Sequence, residues 1–155
     1  MSRHAKPGVV DQIWCRPARL VDPILVERAE LTERGLAGDH ARAGKRALTL
    51  IQAEHLPVIA SLAGCSTIDP ALLRRNLVIS GLNLAACRGQ TLTIGAAEVE
   101  VTVPCHPCSR MEAALGYGGY TALRGHSGWC ARVITPAPIA CGDAVTVRDG
   151  QTAKV

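Results

Sequence analysis

Short runs of Val, Ile and Leu, each closed by a proline or glycine, set the limits on what this chain can fold into. Val9 to Cys15 and Pro23 to Leu31 are two such runs, and both predict strands. Ala47 to Ile51 predicts a buried strand, and Asn76 to Ser80 another that Gly81 ends. Thr91 to Ile94 and Glu98 to Val103 flank a Gly95-Ala96-Ala97 turn. In the second of these, Val99, Val101 and Val103 alternate with Glu98, Glu100 and Thr102, the pattern of a hairpin with one wet face. Trp129 to Thr135 and Ala144 to Arg148 complete the strands. Helical spacing is rarer. From Gln52 to Ala63 the apolar positions Leu56, Ile59, Ala60 and Ala63 share a face, and Gly64 stands where a C-cap glycine belongs. Asp69 predicts the cap of a second short helix, with Pro70 at its first position and Leu72-Leu73 on its apolar face. Ser109 to Leu115 predicts a third, followed by a glycine-rich link from Gly116 to Gly119. Many short strands with a few short helices inserted predict an α+β fold, mainly β and barrel-like.

At 155 residues the chain fits one domain, and with 48% apolar and 19% charged residues it can fill a core. Phe is absent, and only two Trp and two Tyr are present, so the core must be aliphatic. The scarcity of aromatic platforms argues against single-stranded nucleic acid as a ligand. The net charge of +4 is carried by arginine, with Lys6, Lys45 and Lys154 the only lysines. Arginine favours planar, bidentate capture of phosphate or carboxylate, so a small anionic ligand is expected. No apolar run reaches the roughly 18 residues of a membrane span, and Met1 to Val10 lacks a signal-peptide core. The expected location is cytoplasmic. Seven cysteines, an odd number in a chain able to hold a core without staples, are expected to be reduced thiols. Outside the pair at 105 and 108, most are expected to pack as small buried hydrophobes.

The most informative segment is Val103-Pro104-Cys105-His106-Pro107-Cys108-Ser109-Arg110-Met111. It sets two thiols and an imidazole in a proline-stiffened turn between a strand and a helix. Cys108 falls near that helix's start, where the backbone dipole and free N–H groups favour a thiolate, the form that binds metal or carries sulfur. Arg110 adds positive charge nearby. Two thiols three apart also suit zinc or a redox disulfide, and Cys105, Cys108, His106, His126 and Cys130 could in principle fill a tetrahedral zinc site. Against zinc, His126 and Cys130 are separated by Ser127-Gly128-Trp129, wider than the knuckle that zinc ribbons repeat. Arg74 and Arg75, before Asn76 at a helix-to-strand junction, offer forks for a phosphate. Arg124-Gly125-His126-Ser127-Gly128 forms another polar loop. The loop from Gly38 to Arg46 is glycine-rich and electropositive but lacks the order of a nucleotide-binding P-loop.

Taken in order along residues 8–149, these segments resemble the MOSC domain, the module named after the C-terminal part of molybdenum-cofactor sulfurase. The matching pieces are Gly35-Leu36-Ala37-Gly38-Asp39, Arg46-Ala47, Arg74-Arg75-Asn76-Leu77, Ser80-Gly81-Leu82, Pro107-Cys108 and Gly142-Asp143-Ala144-Val145. The likeness is to small stand-alone bacterial members, with residues 1–7 and 150–155 as short tails. The resemblance implies a MOSC-like β-barrel that holds a molybdenum cofactor (molybdopterin) or handles its sulfur. Cys108 matches the cysteine that ligates molybdenum or carries persulfide sulfur. Arg74, Arg75 and Asn76 match the turn that helps hold the pterin phosphate, and Gly38, Asp39, Arg110 and His126 are the further residues expected around the cofactor. Similar members reduce N-hydroxylated compounds. The chain has no flavin, nicotinamide or iron–sulfur fingerprint, so electrons would come from a separate electron-transfer protein. A persulfide sulfur carrier and a structural zinc module are the alternatives. Two features depart from the family pattern. Ala41-Arg42-Ala43-Gly44 replaces a His-Gly-Gly-like stretch, and Cys105 adds a second thiol that could resolve a disulfide or relay a persulfide on Cys108.

Overall fold

A computed structural model describes residues 3–148; the last residue of the expected domain and the expected tail at 150–155 lie outside them. Eleven strands run β1 (Gly8–Cys15), β2 (Ile24–Val26), β3 (Arg28–Thr32), β4 (Gly35–Leu36), β5 (Leu48–Gln52), β6 (Leu77–Ser80), β7 (Thr91–Ile94), β8 (Ala97–Pro104), β9 (Trp129–Thr135), β10 (Ala137–Ala140) and β11 (Ala144–Val147). Four short helices interrupt them: α1 (His55–Ala63), α2 (Pro70–Leu73), α3 (Ser109–Leu115) and α4 (Gly119–Leu123).

Seven strands close a barrel in the order β1-β6-β5-β9-β8-β7-β11, and β11 returns to β1 through Gly8 opposite Val145 and Val9 opposite Ala144. The inside is a packed core of aliphatic side chains, among them Ile13, Leu48, Leu50, Ile79, Leu92, Val99 and Val101, all at 0% exposure. Closure removes the free edges that an open sheet of such strands would expose. Within the barrel only β5 and β6 pair in parallel. Parallel neighbours need a crossover, and residues 53–76 supply it with α1 and α2. That crossover builds a second, smaller core outside the barrel, where Ile59 and Leu73 meet Ile51, Val78, Met111 and Leu123.

The predicted strand over 23–31 is two strands in two sheets. β2 pairs with β1, whereas β3 pairs with β10 and β4 in a separate three-stranded sheet. The Glu27 carbonyl between them accepts the Cys141 N–H, which marks the corner where the chain changes sheets. The long helix starts at His55 rather than Gln52, because Gln52 still belongs to β5 and its side chain accepts the Leu84 N–H. Pro57 then falls in the first turn, where no N–H is needed. Gly64 closes the helix at φ 75°, and Asp69 caps α2 by accepting the Ala71 N–H, both as the sequence predicts. In β8 the alternation of buried and half-buried residues stops after Val101, where the register with β9 shifts before Pro104. Strand β10 and helix α4 went unrecognised. Pro138 masked the first. In the second, the glycine link winds up because the Glu112 carboxylate accepts the N–H groups of Gly118 and Tyr120.

Candidate functional site

The expected residues gather where α2 leads into β6, facing the turn between β8 and α3. Asn76 is completely buried and has every donor and acceptor committed. Its Oδ1 accepts from Thr49 N–H and Thr49 Oγ1, and its Nδ2 donates to the Trp14 carbonyl and to Asp39 Oδ1, each at 3.0–3.1 Å. Asp39, whose side chain has no exposure, is gripped by Arg16: Nη2 to Oδ2 at 2.9 Å and Nε to Oδ1 at 3.1 Å. The Arg16 and Ala41 backbone N–H groups complete its shell. Burial opposes the Asp39 charge, but the Arg16 guanidinium and these N–H bonds outweigh it and hold the carboxyl below the usual carboxylate range. Asp39 and Asn76 thus form a saturated polar plug that joins the ends of β1 and β6 to the loop after β4.

The two arginines of the turn diverge. Arg75 is buried, and its guanidinium donates to three carbonyls: Ser127 at 2.7 Å, Leu73 at 3.0 Å and His106 at 3.5 Å. Ser127 Oγ donates in turn to the Cys105 carbonyl, and Cys105 N–H to the Gly128 carbonyl. Arg75 therefore fastens the cysteine turn to the 124–128 loop. Arg75→Ala should cost about 2–3 kcal/mol, because three buried carbonyls lose a charged donor. Urea denaturation checks the size, and faster proteolysis within 104–108 checks the place. Arg74 adopts φ 56°, the only positive φ at a non-glycine among the described residues, and its side chain reaches the Val21 and Ala18 carbonyls. Burial, then the charges of Arg16 and Arg110, depress its pKa, which marks a crowded cationic surface. Arg110 itself is exposed and reaches the Arg19 carbonyl.

Cys108 occupies the N-cap position of α3 in extended backbone and is exposed. Gly38 is exposed at φ 85°, and a Cβ there would sit 3.5 Å from Cys15 Sγ. His126 packs edge-on to His55 with ring centroids 5.1 Å apart, and its buried Nδ1 has no hydrogen-bond partner. The seven cysteines are all free, but only Cys87 and Cys130 are buried, so the expectation that most pack as hydrophobes fails. Among the described residues, no three His, Cys, Asp or Glu side chains converge as a metal-ligand set, and the zinc grouping divides between exposed His106 and Cys108 and buried Cys130. Sequence reasoning missed Arg16, whose only signal is its place between strand β1 and Pro17. It also missed the pairing of Cys105 with Cys130.

A family model described as the MOSC domain matches residues 37–146, most of the chain and every element from the Asp39 loop to β11. The chain belongs to the MOSC domain family. That family binds molybdenum cofactor or acts in sulfur transfer. Solved structures share this MOSC fold at low identity. The YuaD protein from Bacillus subtilis superposes with TM-score 0.79 at 16% identity, over 90% of this chain and 94% of its own. YiiM from Geobacillus stearothermophilus gives 0.77 at 19% identity, over 92% and 75%. YiiM from Escherichia coli gives 0.75 at 24% identity, over 92% and 70%. No curated protein matches the chain significantly. Among the described residues no helix is long and apolar enough to cross a membrane.

Proposed function

We propose that this MOSC protein holds a molybdenum cofactor through Cys108 and reduces N-hydroxylated compounds in the cytoplasm, with electrons from a separate electron-transfer protein. The observation that carries the reading is the exposed Cys108 thiol on a proline-braced turn beside a surface crowded with guanidinium groups. That donor set fits the group in kind, since a soft thiolate suits molybdenum and fixed cations suit a pterin phosphate. Arg75, Asn76 and Asp39 serve this site as its wall, because their polar atoms are spent on protein partners. Contact with the phosphate then falls to the exposed cations of the 38–46 loop, Arg42, Lys45 and Arg46, and to Arg74 and Arg110, which unlike Arg75 reach the surface and hold their carbonyls with only part of their guanidinium donors. The bound cofactor would supply the two electrons that, with two protons, convert an N-hydroxyl into N–H and water.

Purification from a host that makes the cofactor, followed by metal and pterin analysis, tests the reading. Molybdenum and pterin in equal amounts, close to one per chain, are expected. A metal-free protein carrying labile sulfur would instead support persulfide carriage, which the exposure of Cys108 also permits. Zinc in place of molybdenum would overturn both.

A further inference from the structure

Cys105 follows the last residue of β8. Pro104 stands opposite Trp129 across the β8–β9 ladder, and Cys105 donates its N–H to the Gly128 carbonyl at 2.9 Å. Cys105 therefore lies opposite Gly128 and diagonally across from Cys130, on one face of the pair. Cys130 is buried yet belongs to neither apolar core, so its side chain points off the barrel toward Cys105. Their thiols are mutual neighbours, and the positive charges of Arg75, Arg16 and Arg46 act on Cys105. Thr102 Oγ1 donates to the Lys45 carbonyl and lies 3.1 Å from the Cys130 carbonyl, which ties the cationic loop to the strand that carries Cys130. Cys108, three residues on, is exposed beyond Pro107.

We propose that Cys105 and Cys130 are a redox-active dithiol that a hydroperoxide closes into a disulfide on the outer wall of the barrel. The hydrogen bond from Cys130 and the nearby guanidinium charges favour a Cys105 thiolate against the opposing effect of burial, and the same contact holds Cys130 protonated. In the first step Cys105 sulfur attacks one peroxide oxygen. The O–O bond breaks, the second oxygen leaves with a proton as water or an alcohol, and Cys105 becomes a sulfenic acid. In the second, Cys130 sulfur attacks Cys105. The S–S bond forms, and the sulfenic oxygen leaves with the Cys130 proton as water. The two thiols give up two electrons and two protons, and a small dithiol returns them. This chemistry is separate from the cofactor reading, because it leaves Cys108 untouched.

The test is oxidation of the full chain with near-equimolar hydrogen peroxide, followed by alkylation of free thiols and peptide mapping. The expected product is an intramolecular disulfide joining the peptides of Cys105 and Cys130, formed at least tenfold faster than oxidation of exposed Cys65. Cys108→Ser should form it equally. Cys130→Ser should instead accumulate a Cys105 sulfenic acid that dimedone traps. A link between Cys105 and Cys108, or oxidation of exposed cysteines while Cys105 and Cys130 remain thiols, would overturn the assignment. The unmutated protein decides this even if a variant fails to fold.

Discussion

Asp39→Ala should be the most destabilising single substitution in the candidate site, at about 3–5 kcal/mol, because it leaves the Arg16 charge half-buried without its partner. It also strips Asn76 Nδ2 of one acceptor and two backbone N–H groups of theirs. Asp39→Asn keeps the shape but loses the charge, so it should fall between. The carboxyl's folded pKa is depressed, so its contribution is fully present above the unfolded value near pH 4 and is lost as pH falls through the lower folded value. The gap between unmutated protein and Asp39→Ala in urea midpoints should accordingly hold from pH 7 to about 5 and narrow below about 4. A gap that widens in acid would show that Asp39 is not the charged partner of Arg16.

Cys108→Ser should abolish loading of molybdenum or persulfide sulfur, a loss of at least tenfold, while shifting stability by less than about 0.5 kcal/mol. The pairing of these two outcomes follows from exposure. Cys108 spends its backbone carbonyl on the first turn of α3, through the Met111 N–H, and its side chain is at the surface, so the fold does not depend on the sulfur. A hydroxyl is a poor ligand for a soft metal and cannot hold sulfane sulfur. Metal analysis and sulfide release read the first effect, and urea denaturation reads the second. Full loading of the variant would remove Cys108 from the site.

Most of the barrel was legible because its strands are short, aliphatic and punctuated, and period-2 alternation or a bounding glycine identifies each one. Leu77–Ser80 and Trp129–Thr135 fall where these signals put them. What was not legible depended on partners distant in sequence. The break at Glu27 exists because two sheets compete for one apolar run, and α4 exists because Glu112 reaches across a glycine link. In the site, the sequence marks Asp39, Arg75 and Asn76 as special but cannot say that their charges and amides turn inward. A buried arginine donating to three carbonyls and its part-exposed neighbour donating to two read alike as letters. The neighbourhood of Cys105 was hidden for the same reason: a spacing of three points to Cys108, whereas the ladder brings up Cys130.

The seam between β1 and β11 bears on how the protein is made. Residues 8–10 are held by residues 142–145, so the first strand of the barrel is closed by β11, which is made long after it. Synthesis at roughly 5–20 residues per second leaves β1 waiting on the order of ten seconds or more for it. Until then β1 can lie on β6 and β2 but is open at Gly8 and Val9, and Val10 and Ile13 face an unfinished interior. The contact that closes the barrel thus joins the two most distant strands in the chain, the kind of pairing whose loop-closure entropy must be met before the contact stabilises anything.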